Sequence, residues 1–204
     1  MKEAYYDHIM NVKTGRNQKE ILQAVHYHYH RYEPTPYRAL EALYETYKLD
    51  KQDRVVDFGS GKGRIIFYTH YLFGCTVTGI EMNKGLFEGA LDNLERYGKK
   101  TKRSRETIHF ENILAEEYPL HPEDNRFYFF NPFSIQIFIT IVNSILLSIE
   151  KSPREVELVL YYPSEEYILY LENQTAFELT EEVLVPELYD ANPSERFMIY
   201  RISY

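Results

Sequence analysis

A chain of 204 residues, 44% hydrophobic and 16% aromatic, can build one domain with a core of ordinary size and is too apolar to be disordered. A net charge of −8 opposes unaided binding to a phosphate backbone, because affinity there comes mainly from Lys and Arg displacing counterions. The single cysteine, Cys75, excludes an internal disulfide and suits a reducing compartment. The first residues lack a charged-then-apolar leader. The longest apolar run, Ile135 to Ile149, is short for a bilayer and interrupted by polar residues, so a cytoplasmic protein with no membrane partner is expected.

In chain order, residues 1 to about 15 show no period and are expected to wrap the surface. Arg16 to Val25 puts Ile21, Leu22 and Val25 on one face, which predicts a short amphipathic helix. Next come His26, His28 and His30, which an extended strand would place on one side. No cysteine or close carboxylate pair completes a ligand set, so no metal is expected and the histidines read as lining an entrance. Residues 1–34 form an N-terminal extension and 35–204 the main domain. Thr35 is read as a helix cap with Pro36 at the first helical position, followed by Leu40, Leu43, Tyr44 and Tyr47 at helical spacing.

The stretch Val55-Val56-Asp57-Phe58-Gly59-Ser60-Gly61-Lys62-Gly63-Arg64 then reads as a strand, a tight turn and a helix start. Glycine serves where backbone takes positive φ or lies directly against a ligand, and a new helix presents free N–H groups there. A dinucleotide fingerprint would need glycine at position 64, where this chain has Arg64. Asp57 would repel a pyrophosphate but accept hydrogen bonds from an ammonium group. The next strand, Thr76 to Ile80, ends in Glu81, where a ribose diol is gripped in Rossmann-like sheets. A ligand with an amino-acid end and a nucleoside end suits both acids.

Helices are predicted over Lys62–Phe73 and Asn83–Tyr97, with Lys99 to Arg105 a solvated basic loop. A third strand, Thr107–Asn112, and a fourth, Arg126–Phe130, follow, and the fourth delivers Asn131-Pro132-Phe133 to the carboxyl edge of the sheet. Ser134 can cap a helix from Ile135 to about Glu150, apolar nearly all round, which predicts burial against the sheet and leaves room for a homodimer. A strand over Glu155–Pro163, a short helix over Ser164–Glu172 and two closing strands, Phe177–Val185 and Arg196–Ser203, complete the chain.

VVDFGSGKGR resembles the first motif of the class I S-adenosylmethionine-dependent methyltransferases, GIEMN their ribose-binding motif, and FFNPF (Phe129 to Phe133) the fourth-strand motif of their amino-group-modifying branches. The likeness spans about residues 35 to 204. It implies a single Rossmann-like α/β domain: a mostly parallel seven-stranded sheet with an antiparallel last strand and helices on both faces. It also implies S-adenosyl-L-methionine as cofactor. Asp57, Gly59, Ser60, Gly61, Gly63 and Arg64 would then surround its methionine end, Glu81 and Met82 its ribose, and Asn112 and Ile113 its adenine. The family usually has a Gly-Asp pair where Asn112 stands here. Tyr32, Thr35 and Tyr37 would form a lid over the amino-acid end, with Tyr37 and Asn131 among the cofactor contacts.

Methyl transfer from a sulfonium needs no metal and no covalent enzyme intermediate, only an aligned nucleophile. Asn131 and Pro132 would accept hydrogen bonds from an amine, and Phe133 would stack on the acceptor or stabilise developing positive charge. Many relatives carry Asn-Pro-Pro followed by an aromatic, so the shorter turn leaves acceptor identity open. The reading is of a methyltransferase for a nitrogen on a protein or small molecule. An RNA or DNA base comes next, disfavoured by charge, and after it a non-catalytic cofactor-binding module. A nicotinamide oxidoreductase fits the loop least.

Overall fold

The computed structural model describes residues 2–16, 32–101, 105–131 and 133–203. The histidine run and nearly all of the predicted Arg16–Val25 helix lie outside them. Five parallel strands come first: β1 (Arg54–Phe58), β2 (Thr76–Ile80), β3 (Ile108–Glu111), β4 (Arg126–Phe129) and β5 (Val156–Tyr161). They are joined by β6 (Glu178–Leu184) and β7 (Arg196–Ile202) into one seven-stranded sheet of order β3-β2-β1-β4-β5-β7-β6. β7 runs antiparallel to both β5 and β6, as the resemblance implied. The strand order reverses direction at β1, which pairs with β2 on one side and β4 on the other. Ligands bind beyond the carboxyl ends at such a switch point.

The period-two alternation of strand side chains divides the core. On one face Val55, Val77, Ile108, Tyr128, Val159 and Phe197 pack with α1 (Lys2–Met10), α2 (Tyr37–Thr46) and α3 (Arg64–Phe73). The other face packs Val56, Phe58, Phe127, Phe129 and Leu158 with α5 (Ile135–Lys151) and α6 (Glu165–Gln174), while α4 (Lys84–Thr101) crosses between β2 and β3. β5 is buried at every residue, as its continuous apolar run predicts. On α5 the stripe Phe138, Ile141, Val142, Ile145 and Ile149 is buried, whereas Leu147 is 53% exposed. Among the described residues no helix is long and apolar enough to cross a membrane.

Two expectations are corrected. The first residues do not wrap the surface: they form α1, and Met10, Val12 and Thr14 are buried. Full burial of an apolar side chain of this size contributes roughly 1.5–3 kcal/mol, which fixes the segment to the core. Nor does Thr35 cap α2. Pro36 is the N-cap, its carbonyl accepting from the amides of Ala39 (2.9 Å) and Leu40 (3.2 Å), while the Thr35 hydroxyl pairs with Tyr128 Oη at 2.8 Å. A buried tyrosine hydroxyl needs a partner, and Thr35 supplies it.

The amino edge of the sheet is locked by charge. Glu157, 2% exposed, takes Arg126 at 3.2 Å, Arg201 at 2.6 Å and the Tyr47 hydroxyl at 2.6 Å. Arg126 also reaches Asp53 at 3.3 Å. This lattice ties β1, β4, β5 and β7 together at the end opposite the switch point.

Candidate cofactor and acceptor site

The turn after β1 takes left-handed backbone at Gly59, Gly61 and Gly63, with φ of 86°, 55° and 85°. Here glycine is needed twice over. Besides the strain, a Cβ on Gly61 would strike the Tyr32 ring, and one on Gly63 would meet Phe110 at 2.7 Å and Phe67 at 2.8 Å. The amides of Gly59 and Ser60 both donate to the Ile80 carbonyl, at 2.9 and 3.0 Å, so the turn is sewn to the tip of β2.

Glu81 completes that seam. Its Oε2 accepts from the Gly61 amide at 2.9 Å and its Oε1 from the Asn83 amide at 2.7 Å. Burial raises its pKa, while those two amide bonds pull it back. Asn112, past β3, donates through Nδ2 to the carbonyls of Glu81 (2.7 Å) and Met82 (3.1 Å) and so holds the tip in place. Met82 is 54% exposed beside it, and Ile113 is half-buried against the second core cluster.

Asp57 differs from all of these. It is 4% exposed and accepts no hydrogen bond from any described residue, and burial followed by the nearby Glu81 charge pushes its pKa well above the usual carboxylate range. Its register partner on β4 is Tyr128, whose hydroxyl is already paired with Thr35. Ser60 Oγ is likewise buried without a described partner. Buried polar groups are ordinarily satisfied, so a buried carboxyl group with no partner among the described residues, at a glycine bend, could hold a cation.

The structure turns Tyr37 and Arg64 away from the cofactor roles expected of them. Tyr37 is fully buried, with its hydroxyl on Asp7 Oδ1 at 2.7 Å and the Arg64 guanidinium 4.4 Å from its ring centre. Arg64 donates from Nε to Thr14 Oγ1 (2.8 Å) and from Nη1 to the Thr35 carbonyl (3.0 Å), and pairs with Glu3. Both residues therefore clamp the N-terminal segment, for which Asp7 is the hub: it also accepts from the amide and hydroxyl of Thr14, at 2.9 and 2.7 Å. Tyr32 crosses Gly61 and donates to the Thr14 carbonyl at 2.7 Å, and Lys62 Nζ reaches the Gly15 carbonyl at 3.0 Å. Residues 13–15 form a strap over the glycine turn. No sequence motif marks Asp7 or the strap.

At the end of β4, Asn131 has φ 39° and is half-buried, and its carboxamide makes no hydrogen bond to a described residue. Pro132 lies outside the described residues. Phe133 is held by Tyr167 of α6, whose hydroxyl donates to the Phe133 carbonyl and accepts from its amide. Periodicity could place Tyr167 on a helix but could not reveal this contact. A cavity of about 780 Å³ lined by Glu3, Glu41, Tyr44, Tyr68 and Pro186 lies apart and includes none of the glycine-turn residues.

Several solved structures share this architecture. An RNA methyltransferase from Salinibacter ruber, in complex with S-adenosyl-L-homocysteine, superposes with a TM-score of 0.57 at 16% identity, over 83% of this chain and 92% of that one. The fold is that of the class I methyltransferases. YjhP from E. coli matches with a TM-score of 0.60 at 14% identity, covering 92% of this chain and 99% of its own. A geranyl diphosphate methyltransferase in complex with GPP and sinefungin matches at 0.53 and 11% identity, over 81% and 77% of the two chains. The sequence itself matches no protein-family model and no curated protein. Asp57, the glycine turn, Glu81 and Asn131 all lie at the carboxyl ends of the central strands β1, β2 and β4.

Proposed function

We propose that this chain is an S-adenosylmethionine-dependent methyltransferase acting on a nitrogen acceptor. One observation carries the reading: Asp57, a buried carboxylate without a partner, beside a three-glycine bend and a second carboxylate, Glu81. The residues fit the group. Asp57 would take the ammonium of the methionine end, and Glu81, with one lone pair on each oxygen already engaged, would offer the rest to the ribose hydroxyls. Asn112, Met82 and Ile113 would border the adenine, and Tyr32 with the residue 13–15 strap would cover the amino-acid end.

S-adenosylmethionine supplies an electrophilic methyl carbon, so that a carbon–nitrogen bond forms as carbon–sulfur breaks, leaving a neutral thioether and releasing a proton from the amine. The protein's part is alignment and exclusion of water. Asn131 is suited to accept the amine's N–H, and Phe133 offers a π face for developing positive charge. A nitrogen on a protein or small molecule is favoured by the net charge of −8. A base in RNA is the second reading, supported by the name of the Salinibacter protein.

Calorimetric titration with S-adenosylhomocysteine tests the cofactor assignment: heat and a rise in Tm are expected, and their absence overturns it. Asn131→Ala should leave that heat unchanged and lower turnover about a hundredfold, a loss typical of removing one oriented hydrogen-bonding group at a reacting centre. Normal turnover by Asn131→Ala would overturn the acceptor assignment.

A further inference from the structure

Two residues other than glycine hold left-handed backbone side by side at the carboxyl edge: Asn131, with φ 39°, and Tyr162, with φ 52°. In the β4–β5 register Phe129 lies opposite Leu160, so each of the two sits two steps beyond that pair, on neighbouring strands. Asparagine tolerates this conformation. Tyrosine does so poorly, because its Cβ crowds the following carbonyl, and such backbone persists where surroundings over-determine it, commonly at ligand sites.

The surroundings here do so. The Tyr162 amide donates to the Arg196 carbonyl at 3.0 Å, and its hydroxyl accepts from Asn192 Nδ2 at 2.7 Å. Its ring stands edge-on to Tyr161, centroids 6.4 Å apart, and Tyr161 packs on Phe130 at 4.7 Å. Phe130 and Tyr162 are half-buried and so keep some aromatic surface open at the strand ends that carry Asn131. The nearby charges include carboxylates: Glu195 accepts from the Tyr161 hydroxyl, and Glu33 faces the same phenol, with Arg16 paired to it at 3.9 Å. Arg196, at the start of β7, is paired with Glu182 at 2.7 Å.

We propose that Tyr162 is an acceptor-binding residue and that the acceptor is a free heteroaromatic amine. Its ring would lie against Tyr162 and Phe130 with its nitrogen at Asn131. The proposal rests on the methyl-transfer reading above. Flat aromatic walls suit a planar ring, and the carboxylates beside them suit an amine-bearing ring better than one flanked by phosphates.

The test uses purified full chain, methyl-labelled S-adenosylmethionine and a cell extract separated into low-mass, RNA and protein fractions. Label is expected in aromatic compounds of the low-mass fraction. Tyr162→Asn, which accepts the left-handed backbone, should remain folded, bind S-adenosylhomocysteine with unchanged heat and transfer at least about tenfold more slowly. Tyr162→Phe, which keeps the ring, should recover transfer to within about threefold of the native chain. Native transfer by Tyr162→Asn, or label in RNA, in protein or nowhere, overturns the proposal while the S-adenosylhomocysteine heat remains. Loss of that heat in the native chain overturns instead the cofactor reading beneath it.

Discussion

The Tyr167 hydroxyl makes a two-way bridge to the backbone of Phe133, donating to its carbonyl at 2.6 Å and accepting from its amide at 3.3 Å. The same ring lies flat on Phe138, 3.7 Å between centroids and 6° between planes. Helices α5 and α6 thus jointly fix the turn that begins at Asn131. Tyr167→Phe keeps the stack and removes both bonds. It should cost about 1–2 kcal/mol in urea unfolding, because the Phe133 groups are left without their partner. It should also slow transfer while leaving S-adenosylhomocysteine affinity within error in calorimetry.

Asp57 predicts an opposition between stability and binding. Its folded pKa is raised, so the unfolded chain ionises first as pH climbs past the ordinary carboxylate value, and the cofactor-free fold loses stability from there up to the elevated pKa. Asp57→Asn should remove that loss and raise Tm at neutral pH. It should also abolish measurable S-adenosylhomocysteine binding. In the native chain, affinity should strengthen as pH rises through the same window, because the ionised carboxylate is the form that meets an ammonium. A flat affinity profile would remove Asp57 from the site.

Arg64 joins the glycine turn to the strap through Thr14, Thr35 and Glu3. Arg64→Ala should release residues 13–15, seen as faster amide exchange there and faster proteolysis of the N-terminal segment. S-adenosylhomocysteine affinity should fall about tenfold as the covering wall loosens, a coupling of about 1.4 kcal/mol. Arg64→Lys, whose compact ammonium cannot span Thr14, Thr35 and Glu3 as the planar guanidinium does, should recover only part of it.

Glu157→Ala leaves Arg126, Arg201 and the Tyr47 hydroxyl facing a vacancy at the amino edge. Arg126 keeps Asp53 and Arg201 is open to water, so the loss should be about 1–3 kcal/mol, which chemical denaturation would register. S-adenosylhomocysteine affinity of the surviving folded fraction should not change, since the network lies at the far end of the sheet.

The strands were legible because β-branched and aromatic runs broken by turn residues have few alternative conformations. Asp57 and Glu81 were legible because a glycine bend between two strands brings their ends together whatever the loops do. α1 was not, since much of its anchoring is polar: Asp7 collects Thr14 and Tyr37, and Tyr6 donates to Glu41 at 2.5 Å. Apolar periodicity is blind to such contacts. Arg64 reads as a neighbour of the cofactor's methionine end for the same reason, because the acceptors that turn it aside come from Thr14 and Thr35, distant in sequence. The strain at Tyr162 has no sequence signature at all, as nothing in a tyrosine's neighbours announces a left-handed φ.

Because β7 runs against β5, the connection from β6 re-enters at the carboxyl edge, where Glu195 meets Tyr161 and Asn192 meets Tyr162. The rim beside Tyr162, proposed above to touch the acceptor, is therefore built from a surface hairpin, whereas the proposed seat of the cofactor is built from the sheet's centre. On the reading proposed above, lengthening or exchanging that hairpin loop should change which acceptor is methylated and leave S-adenosylhomocysteine affinity as it was.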